Sequence, residues 1–501
     1  MGFVLGIDTS TTATKAVVVD GSGGVRGVAS AGYGFEIPKP GWSEQEPRLW
    51  WEAAQAAIPQ ALAAAGIAGA AVQAVGLTGQ MHGAVLLDAS GEVLRPAILW
   101  NDQRTAAECD RIRVAIGRER LIRITGNDAL TGFTAPKLVW VRGHEPEVWH
   151  RVAHVLLPKD YLRYRLTGEY ALDKADGSGT LLFDLAARDW SPEVVDALGI
   201  DARWLPPTHE GPVVTGAVIG AAATATGLRA GTPVVAGGGD QSANAVGVGA
   251  VVPGIVALSL GTSGVVFAST DRPLCEPDGR VHAFCHAVPD RWHFMSVMLS
   301  AVGSLRWYRD AVAPAMGYPE LLAEADIVRP GSEGALFLPY LTGERSPHPD
   351  PDARAAFVGL GLNHARRHLT RAVLEGVAFG LRDGLDLMLA AGLAHPASIR
   401  ASGGGTRSPL WLRILADVLE AEIVTVETTE GAAYGAALLA AVGAGWHATV
   451  GDATAGIRTT AVAGPGADAP FYREAHAVYK ELYPALQPTF RRLKEAPAPR
   501  T

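Results

Sequence analysis

Two segments about half a chain apart share one form, and together they restrict the folds open to this sequence. Phe3-Val4-Leu5-Gly6-Ile7 is a short apolar run. Asp8-Thr9-Ser10-Thr11-Thr12-Ala13-Thr14-Lys15 supplies turn residues, and Ala16-Val17-Val18-Val19 is apolar and largely β-branched again. Downstream, Ile255-Val256-Ala257-Leu258-Ser259-Leu260 leads into Gly261-Thr262-Ser263-Gly264 and then Val265-Val266-Phe267-Ala268. A strand, a hydroxyl-rich turn and a strand, met twice, imply two related domains. The length of 501 residues agrees, since a domain takes roughly 100–200. The spacing predicts helices over 50–65, 242–249, 368–391 and 409–419, alternating with short strands. That alternation is an α/β pattern. The domain boundary falls near Val246, giving domains 1–246 and 247–501. The last dozen residues, with Pro497 and Pro499, read as frayed.

Composition excludes several functions. A hydrophobic share of 48% with 19% charged residues is globular and not disordered. The net charge of −8 leaves no basic excess for a phosphate backbone, so nucleic acid is not an expected partner. Apolar stretches such as 432–446 fall short of the roughly 20 residues that span a bilayer, so no membrane partner is expected. Cys109, Cys275 and Cys285 form neither a zinc pattern nor a disulfide framework, which points to a reducing compartment. The first residues carry no basic region or cleavage site, so the expected location is cytoplasmic. Oligomeric state is left open; a homodimer is compatible with the sequence.

The usual nucleotide signatures are missing: there is no G-x-x-x-x-G-K-[ST] and no well-placed G-x-G-x-x-G. A phosphate site must come from other turns. Asp8 ends an apolar strand, where an unpaired carboxylate is costly. Mg²⁺, bound directly or through water, would offset that cost. Thr11, Thr12 and Lys15 add hydroxyls, turn N–H groups and a positive charge for phosphate oxygens. The plainer reading is an ordinary hairpin with a solvated Asp. The Gly261-Thr262 turn strengthens the phosphate reading, because two such turns facing each other would clamp a polyphosphate.

Asp240 follows Gly237-Gly238-Gly239 and precedes a helix of small residues. A carboxylate there stands in the crevice where α/β proteins bind ligands, placed to accept a proton from a substrate hydroxyl. The competing role is an N-cap Asp. Met81 and His82 sit at another strand end, with an apolar wall beside a group that donates to a sugar oxygen. Trp100 and Asp102, with Asn101 and Arg104, make a carbohydrate-like lining, or alternatively a salt-bridged surface turn. Gly403-Gly404-Gly405 repeats the strand–glycine turn–helix form seen at Asp240.

These residues carry a family likeness over nearly all of the chain. Gly132-Phe133-Thr134-Ala135-Pro136-Lys137-Leu138-Val139-Trp140-Val141 resembles the first signature of the FGGY carbohydrate kinases, with Gly143 departing where that pattern prefers a polar residue. Ala355-Ala356-Phe357-Val358-Gly359-Leu360, with His368-Leu369 and Ala372-Val373-Leu374-Glu375, resembles the second. Thr78-Gly79-Gln80-Met81-His82-Gly83 resembles the sugar loop of members that phosphorylate D-xylulose. The resemblance implies a two-domain actin-like (ribonuclease H-like) ATPase fold with a central cleft. It implies ATP and Mg²⁺, with Asp240 as proton acceptor and Asp8 near the metal and the transferred phosphate. Met81, His82 and Gln241 would contact the ketose. Thr11, Thr12, Gly261, Thr262, Gly404 and Ser408 lie on stretches that bind ATP in relatives. Lys15 stands where glycerol kinases have Arg, and Ala13 where they have Ser. Ser10, in place of the commoner Gly, is expected to narrow the turn's backbone freedom. Two alternatives stay open: a kinase for another ketose or polyol such as ribulose, and a non-catalytic actin-like ATPase switch.

Overall fold

A computed structural model describes residues 2–427 and 430–495. Strand Phe3–Thr9 pairs antiparallel with Ala13–Asp20, which pairs antiparallel with Val25–Gly32. On its other edge Phe3–Thr9 runs parallel to Val72–Gly79. Next in order come Pro233–Val235 and Val214–Ala217, and the short Gly238–Gly239 also pairs with Val72–Gly79. The second sheet repeats the plan. Ile255–Leu260 is antiparallel to Gly264–Thr270 and parallel to Ser398–Ser402. Trp292–Met298 lies outside Gly264–Thr270, and Glu422–Val426 lies outside Ser398–Ser402. This shared order is the ribonuclease H-like core of the actin-type ATPase fold, met twice. The two strand–turn–strand segments occupy the same place in each sheet. The two glycine turns do not: Gly237 follows the fifth core strand of its sheet, and Gly403 follows the fourth of the other.

Strand alternation sends side chains to two cores. In the first sheet Leu5, Ile7, Ala16 and Val18 pack with the helix Pro47–Ala64. Val4, Val17 and Val19 point the other way, toward the helix Gly431–Gly443. In the second sheet Val256, Leu258 and Leu260 pack with the helices Arg366–Ala390 and Pro409–Leu419. Ala257 and Phe267 face Ala245 and Val248 instead. Each sheet is therefore covered on both faces, and the helices Asp240–Gly247 and Gly431–Gly443 lie between the sheets.

These two helices cross at backbone contact. A Cβ on Gly435 would lie 1.7 Å from the Ala243 carbonyl oxygen, and one on Gly247 would lie 2.3 Å from that of Gly431. Gly431–Gly443 belongs by sequence to the second half, yet it also covers Val4 and Ala74 of the first sheet.

The predicted helices are present with shifted ends. The first begins at Pro47, because proline at the first turn loses no hydrogen bond. The helix expected from Ser242 begins at Asp240. The frayed tail is corrected in part: Leu482–Glu495 is helical and buries Tyr483 and Phe490. Pro497 and Pro499 lie outside the described residues. Ser10 does not strain its turn. Its hydroxyl donates to the Ala13 carbonyl at 2.8 Å, and its φ is not positive. All three cysteines are free thiols. No helix among the described residues is long and apolar enough to cross a membrane.

The crossing yields a stability prediction. Gly435→Ala should lower stability by about 1–3 kcal/mol, because the methyl group must push two backbones apart. Thermal melting against a Gly220→Ala control measures this, since Gly220 is also helical, its φ is not positive and nothing lies within 4 Å of a Cβ there. An equal loss in both would mean that backbone conformation, and not the crossing, sets the effect.

Candidate active site

Asp8 stands at the end of the central strand of the first sheet, opposite Lys15 and Thr78. Its Oδ1 is buried and has no hydrogen-bond partner. Burial, reinforced by the negative charge of Asp240 and opposed by Lys15, raises its pKa to about 7. Asp240 is the first residue of its helix, and Gly239 takes the N-cap place, so the N-cap role is not the one it fills. Its Oδ1 accepts from the Gln241 N–H at 2.7 Å. Burial raises Asp240 to about 6 against these Gln241 hydrogen bonds. Two carboxylates from different strand ends are thus displaced toward neutrality, both by burial and Asp8 also by the charge of Asp240.

The glycines before Asp240 are needed for this approach. Gly237 has φ +79°, and a Cβ there would lie 1.8 Å from the Leu77 carbonyl oxygen. Arg163, fully buried, holds the strand end just ahead of it by donating to the Val235 carbonyl at 2.7 Å and to that of Ala236. Next to Arg163 lies a buried ionic cluster. Lys159 Nζ sits 2.7 Å from Asp160, 2.5 Å from Asp173 and 3.0 Å from Asp176. These three carboxylates have the spacing of a cation site. The Lys159 ammonium already fills it, and Asp160 also meets Arg163 at 3.3 Å, so the cluster anchors the arginine that holds the strand end. The orphaned Asp8 Oδ1 is different, since it is a hard oxygen donor of the kind a divalent cation takes.

The turn after Asp8 is rigid. Tyr33 Oη donates to the Ser10 carbonyl at 2.7 Å, and Gln45 Nε2 donates to that of Thr11 at 3.0 Å. Thr11 Oγ1 accepts from Trp100 Nε1 at 3.0 Å and donates to Gln80 Oε1 at 3.3 Å. The Thr11 hydroxyl therefore braces the turn, while Thr12 is exposed on it. Lys15 Nζ meets Glu430 at 3.3 Å, joining the first sheet to the segment before the crossing helix.

His82 adopts φ +67°, a left-handed conformation that costs a non-glycine residue about 1–3 kcal/mol. Nδ1 lies 2.7 Å from the Gly179 carbonyl oxygen, which can only accept, so Nδ1 carries the proton. Burial pushes the imidazole pKa well below its usual value, so the ring is neutral. Nε2 is then an acceptor. The nitrogen left free on the ring is thus an acceptor, where the sequence reading expected a donor. Phe133 stacks edge-on to the ring at 4.9 Å, and Phe284, from the second sheet, lies at 6.1 Å. Met81 is buried beside it. Asp102 does not line the cleft. It is 0% exposed, takes Ser43 N–H at 2.6 Å and holds Arg104 with both oxygens. It supports the Trp100 turn from behind. Gln241 is half-buried next to Asp240. Sequence reasoning missed Gly179, Phe284 and the bracing glutamine Gln45, because each lies far along the chain from the group it orients.

On the other sheet, the Gly261 and Thr262 carbonyls accept from Val302 and Gly303 N–H groups at 2.9 and 3.1 Å. This ties the second hydroxyl turn to the start of the helix Val302–Val312. Gly404 and Ser408 line a largely apolar cavity of about 660 Å³ with Leu305, Tyr318, Leu322 and Trp411. Its size suits a drug- or nucleotide-sized ligand. The Ser408 hydroxyl caps the helix Pro409–Leu419 by accepting from Trp411 N–H at 3.2 Å.

Residues 3–247 match the N-terminal domain of the FGGY family of carbohydrate kinases, and residues 256–444 match its C-terminal domain. The chain belongs to the FGGY family of carbohydrate kinases. It is 45% identical over 443 residues to the xylulose kinase of Escherichia coli K12, covering 88% of this chain and 90% of that one. The structure is similar to that of xylulose kinase from Rhodospirillum rubrum, with a TM-score of 0.91 and 34% identity over 98% of this chain and 100% of that one. A gluconate kinase from Lactobacillus acidophilus has a TM-score of 0.93 at 26% identity, covering 98% of this chain and 99% of that one.

The raised Asp8 has a consequence for stability. Its folded pKa of about 7 exceeds the ordinary 3.8, so between these values the folded state holds a proton that the unfolded state has lost. Stability should therefore fall as pH rises through this window. Without divalent metal at pH 8, Asp8→Asn should melt about 2–4 °C higher than the parent, and the gap should close near pH 4. A lower melting temperature at pH 8 would show that the carboxylate is stabilised in the fold.

Proposed function

We propose that this protein transfers the γ-phosphoryl group of ATP to the C5 hydroxyl of D-xylulose, giving D-xylulose 5-phosphate and ADP. The observation that carries the reading is the Asp8–Asp240 pair, two strand-end carboxylates that burial raises, with the Asp240 charge adding to the rise at Asp8. Near-full-length similarity to xylulose kinases supports the choice of sugar. The gluconate kinase of nearly the same fold keeps another substrate of the class as the second reading.

In phosphoryl transfer the protein mainly positions groups and balances charge. The C5 oxygen attacks the γ-phosphorus, the bond to the bridging oxygen of ADP breaks, and the hydroxyl proton passes to Asp240. A pKa near 6 leaves Asp240 largely ionised at neutral pH yet basic enough to take that proton. Asp8 would hold Mg²⁺, directly or through water; when bound, that ion supplies charge neutralisation at the phosphates. The Thr12 and Thr262 turns would bind phosphate oxygens from opposite sheets. Lys15 is within the electrostatic reach of Asp8. Trp100 and Met81 form apolar sugar walls, and His82 Nε2 and Gln241 read hydroxyls. The base of ATP would enter the cavity at Gly404 and Ser408. Division into two units near Val246 would let the cleft close and exclude water as an acceptor.

Four measurements test this. ADP release across ketoses, aldoses, glycerol and gluconate should be fastest with D-xylulose; a faster rate with gluconate would favour the second reading. Asp240→Asn should lower turnover about 10²–10⁴-fold while ATP binding changes little. In the parent, kcat/KM should fall about tenfold per pH unit below pH 6, as Asp240 takes up a proton. Near-normal turnover in Asp240→Asn would sink its assignment as base. Removing the His82 acceptor in His82→Ala should lower kcat/KM for D-xylulose by about 1–3 kcal/mol, roughly 5- to 150-fold.

A further inference from the structure

The helix Thr134–His144 buries a lysine with no ion-pair partner among the described residues. Lys137 is 0% exposed, and Asp102 acts on it only at longer range, opposed by Arg104. Its Nζ donates to two backbone carbonyls, those of His82 and Gly132, each at 2.8 Å. Thr134 Oγ1 donates to the same His82 carbonyl at 3.1 Å. A lysine buried against neutral groups loses hydration and gains no counter-charge, so an apolar side chain would fill this place at lower cost. Two carbonyls match the two N–H bonds of a neutral amine, and burial pushes Lys137 down to about 7.

The carbonyl it grips belongs to the residue with left-handed backbone in the sugar loop. Turning that carbonyl toward Lys137 and Thr134 sets the direction of the His82 Cα–Cβ bond. The imidazole then meets the Gly179 carbonyl through Nδ1 and keeps Nε2 as its free acceptor. We propose that Lys137 is a positioning residue for sugar recognition, holding the His82 carbonyl so that the imidazole presents Nε2 to a substrate hydroxyl. This rests on the reading of His82 as a sugar contact.

The test is a cycle of Lys137→Met, His82→Ala and the double variant, with KM and kcat for D-xylulose and ATP affinity by titration. Lys137→Met should raise KM for D-xylulose roughly tenfold, with a smaller change in kcat and ATP affinity within about twofold. The double variant should be no worse than His82→Ala alone, because the two act through one contact. Additive losses, or equal losses in sugar and ATP affinity, would overturn the proposal. An unchanged KM in Lys137→Met beside a raised KM in His82→Ala would overturn it and leave His82 in place. Unchanged values in both would remove the His82 reading itself. If Lys137→Met does not fold, Thr134→Val takes its place; it removes the other donor to the same carbonyl and should raise the sugar KM in the same direction, and no rise would overturn the proposal. Imidazole ¹⁵N shifts supply an independent readout. The parent should show His82 protonated at Nδ1, and Lys137→Met should show a mixture of tautomers; an unaltered Nδ1–H signal would count against positioning.

Discussion

Gly435 and Gly247 allow the helices Asp240–Gly247 and Gly431–Gly443 to approach until backbone meets backbone. Because the helices lie between the two sheets, their separation sets the distance between the strand ends that carry the site. Asp240 is the first residue of one of them. The other covers the strand that carries Asp8 and begins next to Glu430, which meets Lys15. A larger residue at the crossing would shift the carboxylate pair, the phosphate turns and the cavity together. Interiors are close-packed, so such a shift cannot be absorbed locally.

Around this crossing the structure concentrates buried charge. Lys159, Arg163, Asp160, Asp173 and Asp176 are all nearly inaccessible to solvent. Buried ion pairs seldom add net stability, and replacement by well-packed apolar groups is often neutral or better. What Arg163 does here is hold the Val235 and Ala236 carbonyls just ahead of Gly237–Gly239, a run without side chains of its own to anchor it. The rigid turn at Ser10 follows the same logic with neutral groups, through Tyr33, Gln45, Gln80 and Trp100. Asp8 Oδ1, with the Thr9 and Thr78 hydroxyls beside it, is left without a hydrogen-bond partner. Such an exception stands out because most buried polar atoms are paired.

Much of the fold was legible in local patterns. The hydroxyl-rich turns at Thr11 and Thr262 sit between β-branched runs, and both open on equivalent strands. Helix ends followed capping and proline rules, as at Ser408 and Pro409. The two glycine turns looked alike in sequence, yet they close different strands. A strand–glycine–helix pattern records the local chain path and not the order of strands in a sheet. Asp102 was legible as a polar residue near a tryptophan, and its orientation was not. Arg104, two residues on, turns the carboxylate inward, and the Ser43 N–H that completes its bonding comes from a distant segment.

The sequence by itself determined the α/β class, the repeated strand–turn–strand plan and the presence of carboxylates at strand ends, because periodicity, turn chemistry and glycine placement act over a few residues. Only the tertiary structure decided which of these residues share one cleft. It made His82 an acceptor by setting its ring against the Gly179 carbonyl, turned Asp102 away from the cleft and used the Thr11 hydroxyl as a brace. Each outcome involves a partner between 59 and 97 residues away in the chain. Hydrogen bonding and desolvation act through space, so a side chain's chemistry is set by neighbours that its own stretch of sequence does not name.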